Sequence, residues 1–269
     1  MERDAKRAAR GNLALRRATV GGLAGNIFVI VGNGTFDADN GGPDYGDSFV
    51  KLTPNGNSLS VSDYFTPFDQ QNLANNDIDV GSAGLTLLPD QPGPVTHLGI
   101  SAGKSGKIYL INRDSMGKFQ SGSDSQIVQS IASALGFAAN DNVYSTGTYW
   151  QGNVYFIGNG DVIKQFQLTN GQLPNSPTSK GTQPYGYPGG NMSVSSNGAN
   201  AGLVWAIEAG GGNMLHAYDA TDVSKELYNS NQAGSRDQFG TAVRFTVPTV
   251  INGKVYVAGK TQLAAFGLF

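Results

Sequence analysis

The chain contains no cysteine and only two histidines, His97 and His216. Without thiols there is no disulfide scaffold, no cysteine-zinc or iron–sulfur site and no thiol nucleophile. Two imidazoles cannot build a three-histidine metal centre. Charge is scarce too: 14% of residues are charged, and 18 basic groups face 20 acidic ones for a net charge of −2. A dedicated nucleic-acid binder carries a basic excess, so no nucleic-acid partner is expected. The longest clean apolar run, Ile27 to Val31, is far short of the roughly 20 residues of a membrane helix. A soluble chain with no membrane partner follows. At 269 residues it is long enough to bury a sizeable core.

What is abundant is the chemistry of turns and strands. There are 38 glycines, 23 asparagines, 13 phenylalanines and 11 tyrosines. Glycine and asparagine tolerate the positive-φ positions of tight turns, whereas aromatic and β-branched residues suit pleated, half-buried surfaces. Asn-Gly pairs begin at Asn33, Asn55, Asn159, Asn170, Asn197 and Asn252, several between apolar runs, which is the strongest short-range hairpin signal. The composition reads as all-β.

Residues 1–20 form a basic segment unlike the rest: residues 1–17 hold six of the eighteen basic groups, and Leu13 to Leu15 is too short for the apolar part of a secretory signal. They are expected to be loosely held, before a single domain over 21–269. From Gly25 a unit repeats: Gly25-Asn-Ile-Phe28, Gly106-Lys-Ile-Tyr109, Gly152-Asn-Val-Tyr155, Gly202-Leu-Val-Trp205 and Gly253-Lys-Val-Tyr256. The last four recur every 46 to 51 residues, and a polar insertion from Thr66 to Asn76 stretches the first interval. Short strands on a 40–50-residue period indicate propeller blades, about five of them here. Strands are expected at Leu85–Leu88, Val162–Leu168 and Val243–Val247. The spacing of Ile127, Val128, Ile131, Leu135 and Phe137 predicts one short helix or helical turn within 125–139, in a loop between blades.

These Gly-x-Val-Tyr anchors, with Val31–Leu52, Asn75–Asp90, Ala102–Phe119, Leu215–Ser230 and Phe245–Gly259, resemble the PQQ-like repeats of quinoprotein β-propellers, in particular bacterial members of that superfamily. The resemblance covers about residues 25–269. It implies a propeller of about five blades, shortened at its N-terminus relative to the seven or eight usual there. It also implies an exported or periplasmic location, although no signal peptide is visible. An open blade edge would offer a route to oligomerisation. PQQ itself is disfavoured as cofactor: there are only two tryptophans, Trp150 and Trp205, and the blade ends lack a closing one.

Three constellations are candidates for chemistry. Gly99-Ile-Ser101-Ala-Gly103 satisfies a nucleophile-elbow pattern, but a hairpin rather than a helix follows, so Ser101 reads as a blade residue. Asp37, Asp39, Asn40, Asp44 and Asp47 crowd one glycine-rich loop, which reads as a solvated hairpin. Asn76, Asp77 and Asp79 precede a strand expected to begin at Val80, where alternation would set both acids on one side at a channel mouth. Oxygen-rich groups of this kind suit calcium. The expected metal ligands are Asp77 and Asp79, together with Asn76 and, from another blade entry, Asn191. Asp77, Asp79 and His97 are the candidate catalytic groups. Arg236 and Asp237 read as a local ion pair, and His216 as a packed blade residue.

The leading expectation is a calcium-assisted hydrolase of a small lactone or ester, acyl-homoserine lactones included, by analogy with propellers that hold calcium in a funnel. Aromatic walls would come from Phe65, Tyr149 or Tyr187. The alternative is a non-catalytic propeller that binds a partner or glycan, and a PQQ-dependent dehydrogenase ranks third.

Overall fold

The computed structural model describes residues 18–20, 25–136 and 142–267. The expectations for residues 1–17 and 137–139 lie outside these. Strands hold 44% of the structure and helices 7%, so the all-β reading stands. The strands form five sheets, antiparallel apart from one parallel pair and nearly all in chain order, as β-propeller blades do.

The chain divides into two compact units. The first comprises residues 1–133 and 170–172. One of its sheets runs β1 (Ala18–Val20), β2 (Ile27–Ile30), β3 (Phe49–Asn55), β4 (Ser58–Thr66) and β8 (Lys118–Phe119). Strand β8 returns from later in the chain to pair in parallel with β4. The other orders β5 (Thr86–Leu87), β6 (Leu98–Ala102), β7 (Ile108–Asn112) and β9 (Gln129–Ile131). Their shared core places Phe49, Phe65 and Tyr109 in mutual ring contact, with centroids 5.6–5.9 Å apart. Removing each such side chain from water contributes roughly 1.5–3 kcal/mol. Phe65 is thus a core residue and not a funnel wall.

The second unit comprises residues 134–169 and 173–269. Its sheets are β10 (Thr148–Trp150) to β13 (Ser179–Pro184), with β11 at Asn153–Phe156 and β12 at Val162–Gln167; β14 (Gly190–Asn197) to β17 (Asp222–Asn229), with β15 at Asn200–Glu208 and β16 at Met214–Asp219; and β18 (Thr249–Ile251), β19 (Lys254–Ala258) and β20 (Leu263–Phe266). Tyr155, Ile163, Val204 and Tyr218 fill one core, and Ile207, Leu215, Phe239 and Val257 another.

The repeat anchors mark real strands. The strand that carries or follows the anchor glycine is second in its sheet at β2, β11, β15 and β19, but third at β7. The Asn252-Gly253 turn has φ of 50° and 71°, the double positive φ of a hairpin turn matched to strand twist. Gly202 has a different reason: it lies inside β15, where a Cβ would stand 2.7 Å from the Trp150 ring.

Three local expectations fail. Residues 125–136 hold turns and strand β9 in place of a helix. Their apolar residues fit either period over so short a run, and pairing of Ile108–Leu110 with Gln129–Ile131 decides for the strand. Val80 opens no strand but a one-turn 3-10 helix, Val80–Ser82. Val243–Val247 forms a reverse turn, with Thr246 N–H donating to the Val243 carbonyl.

Candidate functional site

Asp77 and Asp79 do converge, but on a lysine. Asp77 follows helix α1 (Gln70–Asn75) with a φ of 57°, and Asp79 precedes the 3-10 turn. The Lys104 ammonium donates to Asp77 Oδ1 at 3.0 Å, to the Asp77 carbonyl at 2.9 Å and to Asp79 Oδ2 at 2.5 Å. These three acceptors match the three N–H bonds of an ammonium. The remaining Asp79 oxygen accepts the Asn33 backbone N–H at 2.7 Å, and Asn33 Nδ2 donates to Asp77 Oδ1 at 2.9 Å. Partial burial works to lower the Lys104 pKa, but its hydrogen bonds to Asp79 and Asp77 outweigh this and hold it above the usual lysine value.

This donor set does not fit a resident calcium. A divalent ion bridging the two carboxylates would stand against the ammonium that already neutralises them. Asn76, whose amide oxygen is the atom that would meet a cation, is tied through its amide nitrogen to the Asn72 carbonyl and side-chain oxygen. Asn191 belongs to β14 in the second unit, whereas Asn76, Asp77 and Asp79 belong to the first. Among the described residues, no group of three or more His, Asp or Glu side chains is arranged to hold a metal ion.

His97 stands apart from this clasp in its partners. Its Nδ1 lies 2.7 Å from Asp114 Oδ2 and its Nε2 3.6 Å from Asp90 Oδ1, with the side chain 43% exposed. Ser101 is fully buried and donates to the Gly84 carbonyl at 2.9 Å, as a blade residue would. Arg236 and Asp237 form the expected local pair, two-pronged at 2.6 and 2.8 Å. That fork, with the Tyr228 hydroxyl, holds the Asp237 carboxyl down to about 2.

Four features escaped the sequence reading. The first is Asp47, which the sequence groups with a solvated loop but which is fully buried. Asp37 does organise that loop, accepting the Asp44 N–H at 2.8 Å. Asp47 instead turns inward at a φ of 53°, and its Oδ1 accepts the Val80 N–H at 3.0 Å while Oδ2 has no hydrogen-bond partner. Burial pushes its carboxyl up to about 7; the Val80 N–H and Lys104 oppose that, and Asp79 and Asp69 add to it.

The second is His216. It is indeed packed, 1% exposed, but between two acids: Glu226 Oε1 lies 2.6 Å from Nδ1 and Glu208 Oε2 lies 3.5 Å from Nε2. The Tyr185 and Tyr218 rings flank the imidazole. Their hydroxyls meet at 3.0 Å, and burial raises both phenol pKa values.

The third is an open groove of about 630 Å³ in the first unit, beside Phe68, Lys107, Asp124 and edge strand β9. Lys107 is already neutralised there by Asp124 at 3.3 Å and Asp69 at 3.8 Å.

The fourth is an exposed aromatic surface in the second unit. Tyr187 is 44% and Phe245 47% exposed, and Val243 and Val247 are exposed beside Phe245 in the chain. The Tyr144 ring meets Tyr187 edge-on at 5.4 Å and Phe245 at 6.3 Å. The Arg244 guanidinium lies over the Tyr187 ring, 4.9 Å from its centroid. Phe245 has a φ of 69°, where a bulky side chain is disfavoured by about 1–2 kcal/mol. The turn therefore displays a large ring to solvent from a backbone position that would suit glycine.

No protein-family model matches the chain, and no curated protein matches it in sequence. Solved structures do resemble it in fold. BamB from Moraxella catarrhalis is 13% identical with a TM-score of 0.48, over 93% of this chain and 64% of that one. Sqt1 from Saccharomyces cerevisiae is 10% identical with a TM-score of 0.49, over 90% and 69%. A chain of a mitotic checkpoint complex is 8% identical with a TM-score of 0.38, over 97% and 83%. The chain thus spans less than two thirds of the BamB chain. Its own sheets define the class: an all-β protein built of β-propeller blades.

Proposed function

We propose that this chain is a non-catalytic binding module that docks a partner on the aromatic surface around Tyr187 and Phe245, with blades of the PQQ-like kind. The observation that carries the reading is Phe245, exposed and held at positive φ. Strain and exposure of a large apolar side chain both cost stability, and they concentrate where a surface has a task. Tyrosine and arginine, which flank it, are the side chains that most often anchor interfaces.

The hydrolase reading has less support. It requires a cation beside Asp77 and Asp79, where the Lys104 ammonium is bound.

A panel of peptides and glycans, screened on the full chain, tests the proposal. Ligands selected on the wild type should bind the Tyr187→Ala, Phe245→Ala double variant at least about tenfold more weakly, a difference of about 1.4 kcal/mol, with the melting temperature preserved. Unchanged affinity would remove the aromatic surface from the reading. Calcium-dependent turnover of a lactone or ester panel would restore the hydrolase.

A further inference from the structure

Resting on that binding reading, we propose that the Tyr187–Phe245 surface takes a peptide segment in which a carboxylate side chain stands beside an apolar one.

The inference comes from charge and ring geometry. Arg244 is exposed and lies against a tyrosine face; among the described residues it has no carboxylate partner. Lys104, Lys107, Lys164 and Arg236, by contrast, are each matched to acids. A guanidinium stacked on a ring keeps its N–H edge free, and that edge fits a carboxylate in two-pronged fashion. Stacking also fixes the fork, so less side-chain freedom is lost on binding.

The immediate chain neighbours of Arg244 are apolar. Val243, Phe245 and Val247 are exposed next to it in the chain. A ligand that meets this turn therefore finds one cationic fork among hydrophobic side chains. A glycan fits less well. Sugar stacking needs an open ring face, and at Tyr187 Arg244 already lies over one face, while the exposed Phe245 ring has no polar group to hold sugar hydroxyls.

The experiment is selection from a phage-displayed random peptide library on the full chain, followed by affinity measurement with synthetic copies of the enriched peptides. Enriched sequences should carry Asp or Glu beside an aliphatic or aromatic residue. Their affinity should fall about tenfold or more in Arg244→Gln and decline with added salt, as expected for a solvent-accessible charge pair. Selection on Arg244→Glu should favour Lys or Arg instead. Enrichment without acidic residues, no enrichment at all, glycan binding alone, or an unchanged affinity in Arg244→Gln would overturn the inference. The binding reading fails separately: if Tyr187→Ala and Phe245→Ala leave peptide binding intact, the surface itself is wrong. If those two variants abolish binding while Arg244→Gln does not, only the carboxylate preference falls. Circular dichroism on each variant keeps unfolding from imitating either result.

Discussion

Replacing Asp47 with asparagine should make the protein more stable at alkaline pH and change little in acid. The wild-type carboxyl titrates near 7 in the fold, against an ordinary value of 3.8 for the free side chain. A group whose folded pKa is raised contributes stability that is complete below the unfolded value and lost as pH rises through the folded one. Between pH 4 and pH 7 the unfolded chain releases this proton while the folded chain keeps it, so stability declines. At about 1.4 kcal/mol per pH unit, a gap of about 3 units corresponds to roughly 4 kcal/mol as an upper limit. Asparagine keeps the acceptor for the Val80 N–H and has no charge to bury. Urea denaturation of both proteins at pH 5 and pH 8 checks this, because all other titrating groups cancel in the difference. The variant should gain on wild type by about 2–3 kcal/mol over that interval. Parallel pH profiles would refute the argument and mean that Asp47 is ionised and solvated in the native state.

Removing the cation from the clasp should be costly: Lys104→Met leaves Asp77 and Asp79 facing each other and should destabilise by roughly 2–4 kcal/mol in thermal denaturation. The same variant should acquire a calcium-dependent melting temperature that the wild type lacks; a calcium or chelator response in the wild type would contradict the fit argued from Lys104. Phe245→Asn relieves the positive-φ strain and should leave stability equal or raise it by up to about 1 kcal/mol, while weakening partner binding. A loss of more than about 1 kcal/mol would show that the Phe245 ring holds the fold together. Far-UV circular dichroism should give a β spectrum with a helical fraction well below about a quarter.

Periodicity was the most legible property of this sequence. An anchor glycine followed by alternating apolar and aromatic residues reports a strand with one register, because a slip of one residue would turn every buried side chain to the other face. Asn252-Gly253 was equally readable, since few other pairs tolerate two positive φ values in a row. Ser101 and the Arg236–Asp237 pair were legible for a related reason: their roles depend on near neighbours, in sheet or in sequence.

Tertiary structure decided everything that required distant side chains to meet. Lys104 stands 27 positions from Asp77, and nothing local to either residue announces that an ammonium will take the place foreseen for calcium. Asp47 looked like one more loop acid until the fold carried it beneath Val80 and stripped its water. The stretch from Val243 to Val247 has the alternation of a strand, yet the backbone turns at Phe245 against local preference. Local sequence encodes conformational preference within a few residues, so it specifies strands, turns and their period. Charge pairing, desolvation and tolerated strain are properties of the assembled packing, and only there do Lys104, Asp47 and Phe245 acquire their roles.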